Sequence, residues 1–382
     1  MNLRAVAEMI VLGFGSTVCC QPVATTGSVK GTIRLADTKA PAAGVNVVLQ
    51  PVRSEWNSML KEEYTITDQF SPGEFHAVTD TSGSFTITNV RAGEYYVVPY
   101  LAGYIAAQDF VPPGALAPEF HGETRLPGFV GRVVVSSRIT AHTDLVLERG
   151  GTIEGIVAFG QGRPEILPKR SLMGIALNLS VKGQDGQFRR ALGASHPGED
   201  GHYRIDAVPK GSYILFAALG GGMVQTDRGL QGSSGRFIYF GSTVRPSRAQ
   251  VIEMTGGTAR RTGVDITIPM TGLHTVRGKA EMVGGKPITE GIIRLFPTGE
   301  RDPSRANPLA ANGTFEFDQV VSGDYTVWLE DVPQYEFAGP APDGKGIRMK
   351  QRKKLYNALS QDLSVIDRDP PVVVLRPNSV SK

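Results

Sequence analysis

The chain has 382 residues, with 46 glycines, 25 prolines and only 2 cysteines. Nearly one residue in five is therefore a backbone punctuator, which excludes a fold of long helices, while the aperiodic spacing excludes collagen. With 41% hydrophobic residues and a formal charge of +3, the chain can bury cores and carries no basic excess of the kind nucleic-acid binders need. Its length predicts two or three domains.

Residues 1–24 read as a secretory signal peptide: Arg4 supplies the positive n-region, Val6 to Val18 is mostly apolar, and Cys19, Cys20 and Ala24 offer small residues for cleavage. Glu8 interrupts the apolar run, which is too short for a membrane span of ~20 residues. Both cysteines, Cys19 and Cys20, lie in this leader, so a lipid anchor on one of them is the alternative to simple cleavage. Either way the remaining chain must hold together without disulfides. Export to the periplasm, outer surface or medium follows from the leader.

An opening strand, Val29-Lys-Gly31-Thr-Ile33, comes next, then a turn and the strand Val45 to Leu49. The segment Gly83-Ser-Phe85-Thr-Ile87-Thr-Asn-Val90-Arg-Ala-Gly93-Glu-Tyr95 follows, and it recurs twice. The second copy places Gly201, Tyr203, Ile205, Val208, Gly211 and Tyr213 at the same spacing, and the third Gly313, Phe315, Phe317, Val320, Gly323 and Tyr325. In all three the steps from Gly to Val to Gly to Tyr are 7, 3 and 2. The first glycine, preceded by Asp, Ser or Asn, predicts a tight hairpin turn. The alternation after it predicts a strand with one buried face. The second glycine turns the chain into another strand, and its tyrosine is expected to bury its ring and donate its hydroxyl to a turn carbonyl, as in a tyrosine corner.

Opening strands recur at Ile153 to Val157 and Val276 to Ala280, and closing strands at Asp144 to Leu147, Asp265 to Ile268 and Val372 to Leu375. The expected architecture is all-β: tandem antiparallel β-sandwiches, three repeats with loop inserts, over 25–149, 150–271 and 272–382. The inserts, Gly103 to Gly128 and Gly220 to Arg248, are expected to be surface excursions, and a short helix is expected around Lys350 to Leu363. The chain ends where a fourth unit would start, so both a three-unit array and the front of a longer one remain open.

This pattern resembles the carboxypeptidase regulatory-like domain, a prealbumin-like or immunoglobulin-like sandwich similar to starch-binding and collagen-adhesin B-type repeats. The matching residues are Gly31, Gly44 to Leu49 and Asp80 to Tyr95, then Gly155 and Gly201 to Tyr213, then Gly278, Gly291 to Phe296 and Gly313 to Tyr325. The resemblance implies a non-catalytic stalk, spacer, adhesive or sugar-binding module of exported proteins and transfers no catalytic residue.

The residues themselves offer few chemical candidates. His196-Pro-Gly-Glu199 matches the H-x-x-E zinc pair, which would make the chain a zinc-dependent hydrolase. A catalytic site would need a third ligand and an orienting scaffold, whereas the repeat puts these residues in a hairpin turn. Asp80 and Asp200 could offer hard oxygens to calcium, but the third copy has Asn312 instead, so turn chemistry is the better reading. No catalytic, cofactor-binding or metal residue is assigned, and no cofactor is indicated. Trp56, in a polar stretch, is the candidate for stacking on a sugar ring; this gives a carbohydrate-binding alternative to the purely structural module. Trp328 has the opposite parity from Tyr325 and Val327 and is expected at an inter-unit contact. The basic run Arg348 to Lys354 is expected on a solvated face. A polysaccharide or another envelope protein is the compatible class of partner; no nucleic acid is.

Overall fold

A computed structural model describes residues 26–52, 63–66, 75–111, 126–161, 172, 174–183, 185–221, 223–226, 229–232, 235–301, 304–331, 335–340 and 347–380. The leader with Cys19 and Cys20, and Trp56, lie outside them. No described helix is long and apolar enough to cross a membrane.

The first sandwich contains β1 (Thr26–Leu35), β2 (Asn46–Pro51), β4 (His76–Val78), β5 (Ser84–Arg91), β6 (Gly93–Tyr100), β7 (Gly131–Val135) and β8 (Thr140–Leu147), with β3 (Glu63–Ile66) in an excursion between β2 and β4. One sheet has the order β5-β1-β8 and the other β4-β2-β6-β7. The second sandwich uses β9 (Gly151–Phe159), β10 (Ala176–Lys182), β11 (Phe188–Ser195), β12 (His202–Val208) and β13 (Gly211–Leu219), followed by a hairpin of β14 (Met223–Thr226) and β15 (Gly229–Gly232). It is completed by β16 (Arg236–Tyr239), β17 (Ile252–Met254), β18 (Arg260–Arg261) and β19 (Ile266–Ile268). Its sheets run β12-β9-β18, with β19 also on β9, and β11-β10-β13-β16, with β17 also on β13.

The third sandwich has β20 (Leu273–Ala280), β21 (Ile292–Pro297), β22 (Arg305–Pro308), β23 (Thr314–Val321), β24 (Gly323–Glu330), β27 (Leu359–Val365) and β28 (Val373–Leu375). Its orders are β23-β20-β28 and β22-β21-β24-β27. Between β24 and β27 an excursion forms β25 (Tyr335–Pro340) and β26 (Ile347–Gln351), and β26 pairs antiparallel with β3 of the first sandwich. Each sandwich closes its own apolar core, over Val29 to Leu147, Ile153 to Ile268 and Val276 to Leu375. Among the described residues the ladders are antiparallel except where closing strands run parallel to the opener, in β1–β8, in β9–β18 and β9–β19, and in β20–β28. A parallel neighbour needs a long crossover, and the five or more strands between opener and closer supply it.

Four local devices explain the repeated motif. In the turn, Gly83, Gly201 and Gly313 stand at φ +74°, +85° and +77°, a backbone that glycine adopts without strain. Their amides donate three residues back to Asp80, Gly198 and Ala310, at 2.9, 3.0 and 2.8 Å. This is the type I turn with a left-handed fourth residue that joins short hairpins.

The second device pairs the opener glycine with an aromatic ring. Gly31 lies directly opposite Phe85, Gly155 opposite Tyr203 and Gly278 opposite Phe315. A Cβ on Gly31 would come within 2.8 Å of the Phe85 ring and one on Gly278 within 2.1 Å of the Phe315 ring. At Gly155 it would meet the Tyr203 hydroxyl at 2.9 Å. The ring thus covers bare backbone that no other residue could leave free.

The third device is a β-bulge. The step of three from Ile87 to Val90 breaks strict alternation. Thr88 and Asn89 together oppose Ser28, Asp206 and Ala207 oppose Thr152, and Asp318 and Gln319 oppose Thr275. The bulge returns Val90, Val208 and Val320 to the core, and its second residue is left-handed each time: Asn89 at φ +58°, Ala207 at +60°, Gln319 at +52°. Asparagine tolerates this backbone, whereas Ala207 carries the left-handed cost of roughly 1–2 kcal/mol. Ala207→Gly is therefore expected to stabilise the second sandwich by about 1 kcal/mol, partly offset by glycine's greater entropy in the unfolded chain. Native-state hydrogen exchange of the β12 amides should slow about fivefold.

The fourth device is the tyrosine. Tyr95, Tyr213 and Tyr325 each donate their hydroxyl to the carbonyl four residues back, Arg91 at 3.1 Å, Pro209 at 3.0 Å and Val321 at 2.7 Å. Burial pushes the Tyr325 hydroxyl up to about 12 and the Tyr213 hydroxyl further still.

Two sequence expectations need correction. Lys350 to Leu363 is not helical: its start is the end of β26 and its end lies in β27. The four-residue step from Leu359 to Leu363 suits a helix, but it also fits alternate positions of a strand, and β27 pairs along β24 from Leu359 to Val365. Neither insert is only a surface excursion: Ala107 and Val111 of the first are buried in its core, and in the second β16 joins the sheet with Ile238 fully buried.

Candidate functional site

The fifteen signature positions are occupied by scaffold work. Phe85, Tyr203 and Phe315 cover the opener glycines. Val90, Val208 and Val320 fill cores, and Gly93, Gly211 and Gly323 lie under the tyrosine rings, with a Cβ placed 3.4, 3.1 and 3.5 Å from ring carbons. Gly83, Gly201 and Gly313 make the turns.

The H-x-x-E pair is dispersed in its turn. His196 Nδ1 lies 2.9 Å from the Ile175 carbonyl, and Glu199 is exposed at the hairpin tip. His274 is in the third sandwich, its Nε2 3.1 Å from Ser322 Oγ. The turn carboxylates serve local amides. Asp80 Oδ1 accepts from the Ser82 and Ser84 amides at 2.8 and 2.9 Å, and Asp200 Oδ1 accepts from His202 at 3.0 Å. Asn312 Oδ1 does the same for Thr314 at 3.1 Å. In Asp80 the Ser82 hydroxyl and the Ser84 amide hold the carboxyl below the ordinary carboxylate range.

The basic run is also divided. Arg352 turns inward to Asp331 at 2.6 Å, itself 2% exposed, while Lys350, Lys353 and Lys354 face solvent. Arg348 Nη2 donates to the Ala338 carbonyl at 3.1 Å.

The joints between sandwiches are short and bonded. Only Glu148 to Gly150 separate β8 from β9, and Phe110 packs on the cores of both the first and second sandwiches. Beside it Asp109 has its carboxyl pushed up to about 6 by burial, and its charge in turn raises Tyr213 across the joint. Arg204, at the same cleft, is committed to Asp206 at 2.8 Å and Glu154 at 2.7 Å.

At the other joint Arg245 donates to the Thr298 carbonyl at 2.7 Å, Ser247 bonds to Glu300, and the Ala311 amide donates to the Gln225 carbonyl at 3.0 Å. Two buried arginines also meet there. Arg305 is bound to Asp318 at 2.8 Å, and Arg236 donates to the Pro269 carbonyl at 3.2 Å. Burial, reinforced by Arg305, lowers Arg236 to about 10.

A groove with binding chemistry lies on the third sandwich. Along β24 the inner positions Tyr325, Val327 and Leu329 are buried, so Thr326, Trp328 and Glu330 point outward. Trp328 is opposite Arg294 on β21, and Phe296 opposite Thr326. These residues, with Glu300 and Arg301, line a groove of about 520 Å³ on the outer face of the sheet. Arg294 is ion-paired to Glu330, and Thr326 Oγ1 donates to Asp362 Oδ1 at 2.6 Å. Trp328, expected at an inter-unit contact, instead lines this groove and is 38% exposed.

No protein-family profile and no curated protein sequence matches the chain. Among solved structures, the chain is similar to the Bacillus anthracis TIE protein at 12% identity over 93% of this chain and 51% of that one, with a TM-score of 0.21. It is similar to a streptococcal ancillary pilin at 9% identity over 94% of this chain and all of that one, TM-score 0.24. The minor pilin GBS52 of Streptococcus agalactiae aligns at 16% identity over 64% of this chain and 94% of that one, TM-score 0.26. These likenesses are too distant to transfer a role. The chain spans about half the length of the first of them.

Proposed function

We propose that the chain is a non-enzymatic structural module of the cell envelope, an exported scaffold of three carboxypeptidase regulatory-like sandwiches over 25–149, 150–271 and 272–382. The observation that carries this reading is where the recurring residues go. Every position repeated three times makes a turn, covers a glycine, fills a core or caps a corner. The reading is supported by the joints, which are braced by Phe110 on one side and by Arg245, Ser247 and Glu300 on the other. Domains in one chain move freely by default unless such contacts restrain them.

Small-angle scattering of the full chain tests this. A single narrow ensemble is expected, broadening in an Arg245→Ala/Ser247→Ala double variant with no loss of strand signal in circular dichroism. A wild-type profile that requires independently moving sandwiches would overturn it. So would turnover of peptidase or glycosidase substrates at a metal-dependent rate lost in His196→Ala.

A further inference from the structure

We infer that the outer face of β21 and β24 in the third sandwich is a binding platform for a neutral saccharide, with the Trp328 indole as its stacking surface. The inference is independent of the scaffold reading.

The position decides the first point. Trp328 lies three residues after the corner tyrosine, as do Val98 in the first sandwich and Phe216 in the second. Those two are 6% and 8% exposed, whereas Trp328 is 38% exposed. In the second sandwich, Phe237 and Tyr239 cover Phe216, with ring centroids 5.2 and 5.5 Å away. The largest apolar side chain of the three thus occupies the one copy of this position that is exposed, where over a third of the indole's surface stays in water. With Phe296 beside it in the same groove, the indole forms the apolar floor of a concave site ringed by polar groups.

Chemistry decides the second point. Around the indole stand paired hydrogen-bonding groups, Arg294 with Glu330 and Thr326 with Asp362. Their mutual bonds fix the geometry and leave further donors and acceptors facing the groove. Planar guanidinium and carboxylate groups match the vicinal hydroxyls of a pyranose, whose C–H face complements an aromatic ring. The lining carries Arg294 and Arg301 against Glu300 and Glu330, and Asp362 beside Thr326 adds one more negative charge, so the groove has no basic field. A polyanion such as a nucleic acid or sulfated glycan would want a basic field here, and a protein partner would want an apolar patch wider than one indole and Phe296. A groove of about 520 Å³ is of ligand-binding size.

Affinity electrophoresis of the full chain through gels containing dextran, amylopectin, galactomannan or xyloglucan tests the inference, with heparin as the charged comparison. At least one neutral polymer should retard the wild type. Retardation should weaken tenfold or more in Trp328→Ala, survive in part in Trp328→Phe and persist in Trp56→Ala. Because the indole is 38% exposed and the rest of it packs on the sheet, Trp328→Ala should melt somewhat below the wild type but keep its strand signal in circular dichroism at the assay temperature. As a check that needs no change at the site, the single-tryptophan Trp56→Phe protein should show a Trp328 emission shift on adding the retarding polymer. Four results would overturn the inference: no retardation by any neutral polymer, retardation by heparin alone, full retention in Trp328→Ala, or loss of retardation in Trp56→Ala only. None of them would disturb the scattering result that tests the scaffold.

Discussion

Gly278→Ala is expected to destabilise the third sandwich by about 3 kcal/mol, at the upper end of the usual cost of overpacking. The added methyl would come to 2.1 Å from the Phe315 ring and 2.7 Å from the Val373 carbonyl. The ring is 6% exposed and packs on Phe317 at 6.0 Å, so it cannot swing aside without disturbing the core. The carbonyl belongs to the closing strand and moves only if β28 leaves the sheet. Gly31→Ala should cost at least as much, because there the nearest atom, at 1.9 Å, is the Thr143 carbonyl oxygen. Gly220→Ala, with nothing within 4 Å of the new carbon, is the near-neutral control. Urea titrations monitored by hydrogen exchange would assign each loss to its own sandwich. An unchanged third sandwich in Gly278→Ala would contradict the account of the opener glycine.

The second large effect is at the first joint. Asp109 has its carboxyl raised to about 6 by burial. A carboxylate raised in the folded state stabilises fully only below its unfolded value, near 3.9, and that contribution is lost as pH rises through 6. At pH 7.5 the ionised group therefore costs the joint up to about 3 kcal/mol. Arg204 does not offset this charge, because Asp206 and Glu154 already hold it. Asp109→Asn is expected to recover most of the cost at pH 7.5, raising the thermal midpoint, and to melt like the wild type at pH 4. A difference that is independent of pH would show that the amide acts through packing instead.

Much of the fold was legible because the devices that build it leave marks in the residues. A left-handed turn demands Gly83, Gly201 and Gly313, whereas the pairing of Gly31 with Phe85 shows only in the strand register. The bulge was not foreseen: the sequence shows the three-residue step from Ile87 to Val90, but the two-against-one pairing and the left-handed residue appear only in the register. The edge strands β7, β16 and β27 were harder, since they lie beyond long inserts and carry little alternation of their own. The groove was half legible. Parity placed Trp328 on the outer face, but whether that face is covered depends on segments far away in sequence, as the contrast with Phe216 under Phe237 and Tyr239 makes plain.

The parallel contact between the first and last strands of each sandwich has a mechanical consequence. A chain pulled from its two ends drags such strands along one another, so their hydrogen bonds are loaded together in shear rather than opened in sequence like a zip. The resistance then grows with the length of the shared register. Eight residue pairs join β1 to β8, from Ser28–Thr140 to Leu35–Leu147, whereas three join β20 to β28. Under tension the third sandwich yields first and the first holds longest, which would make a graded extension of the array a property of its three closing strands.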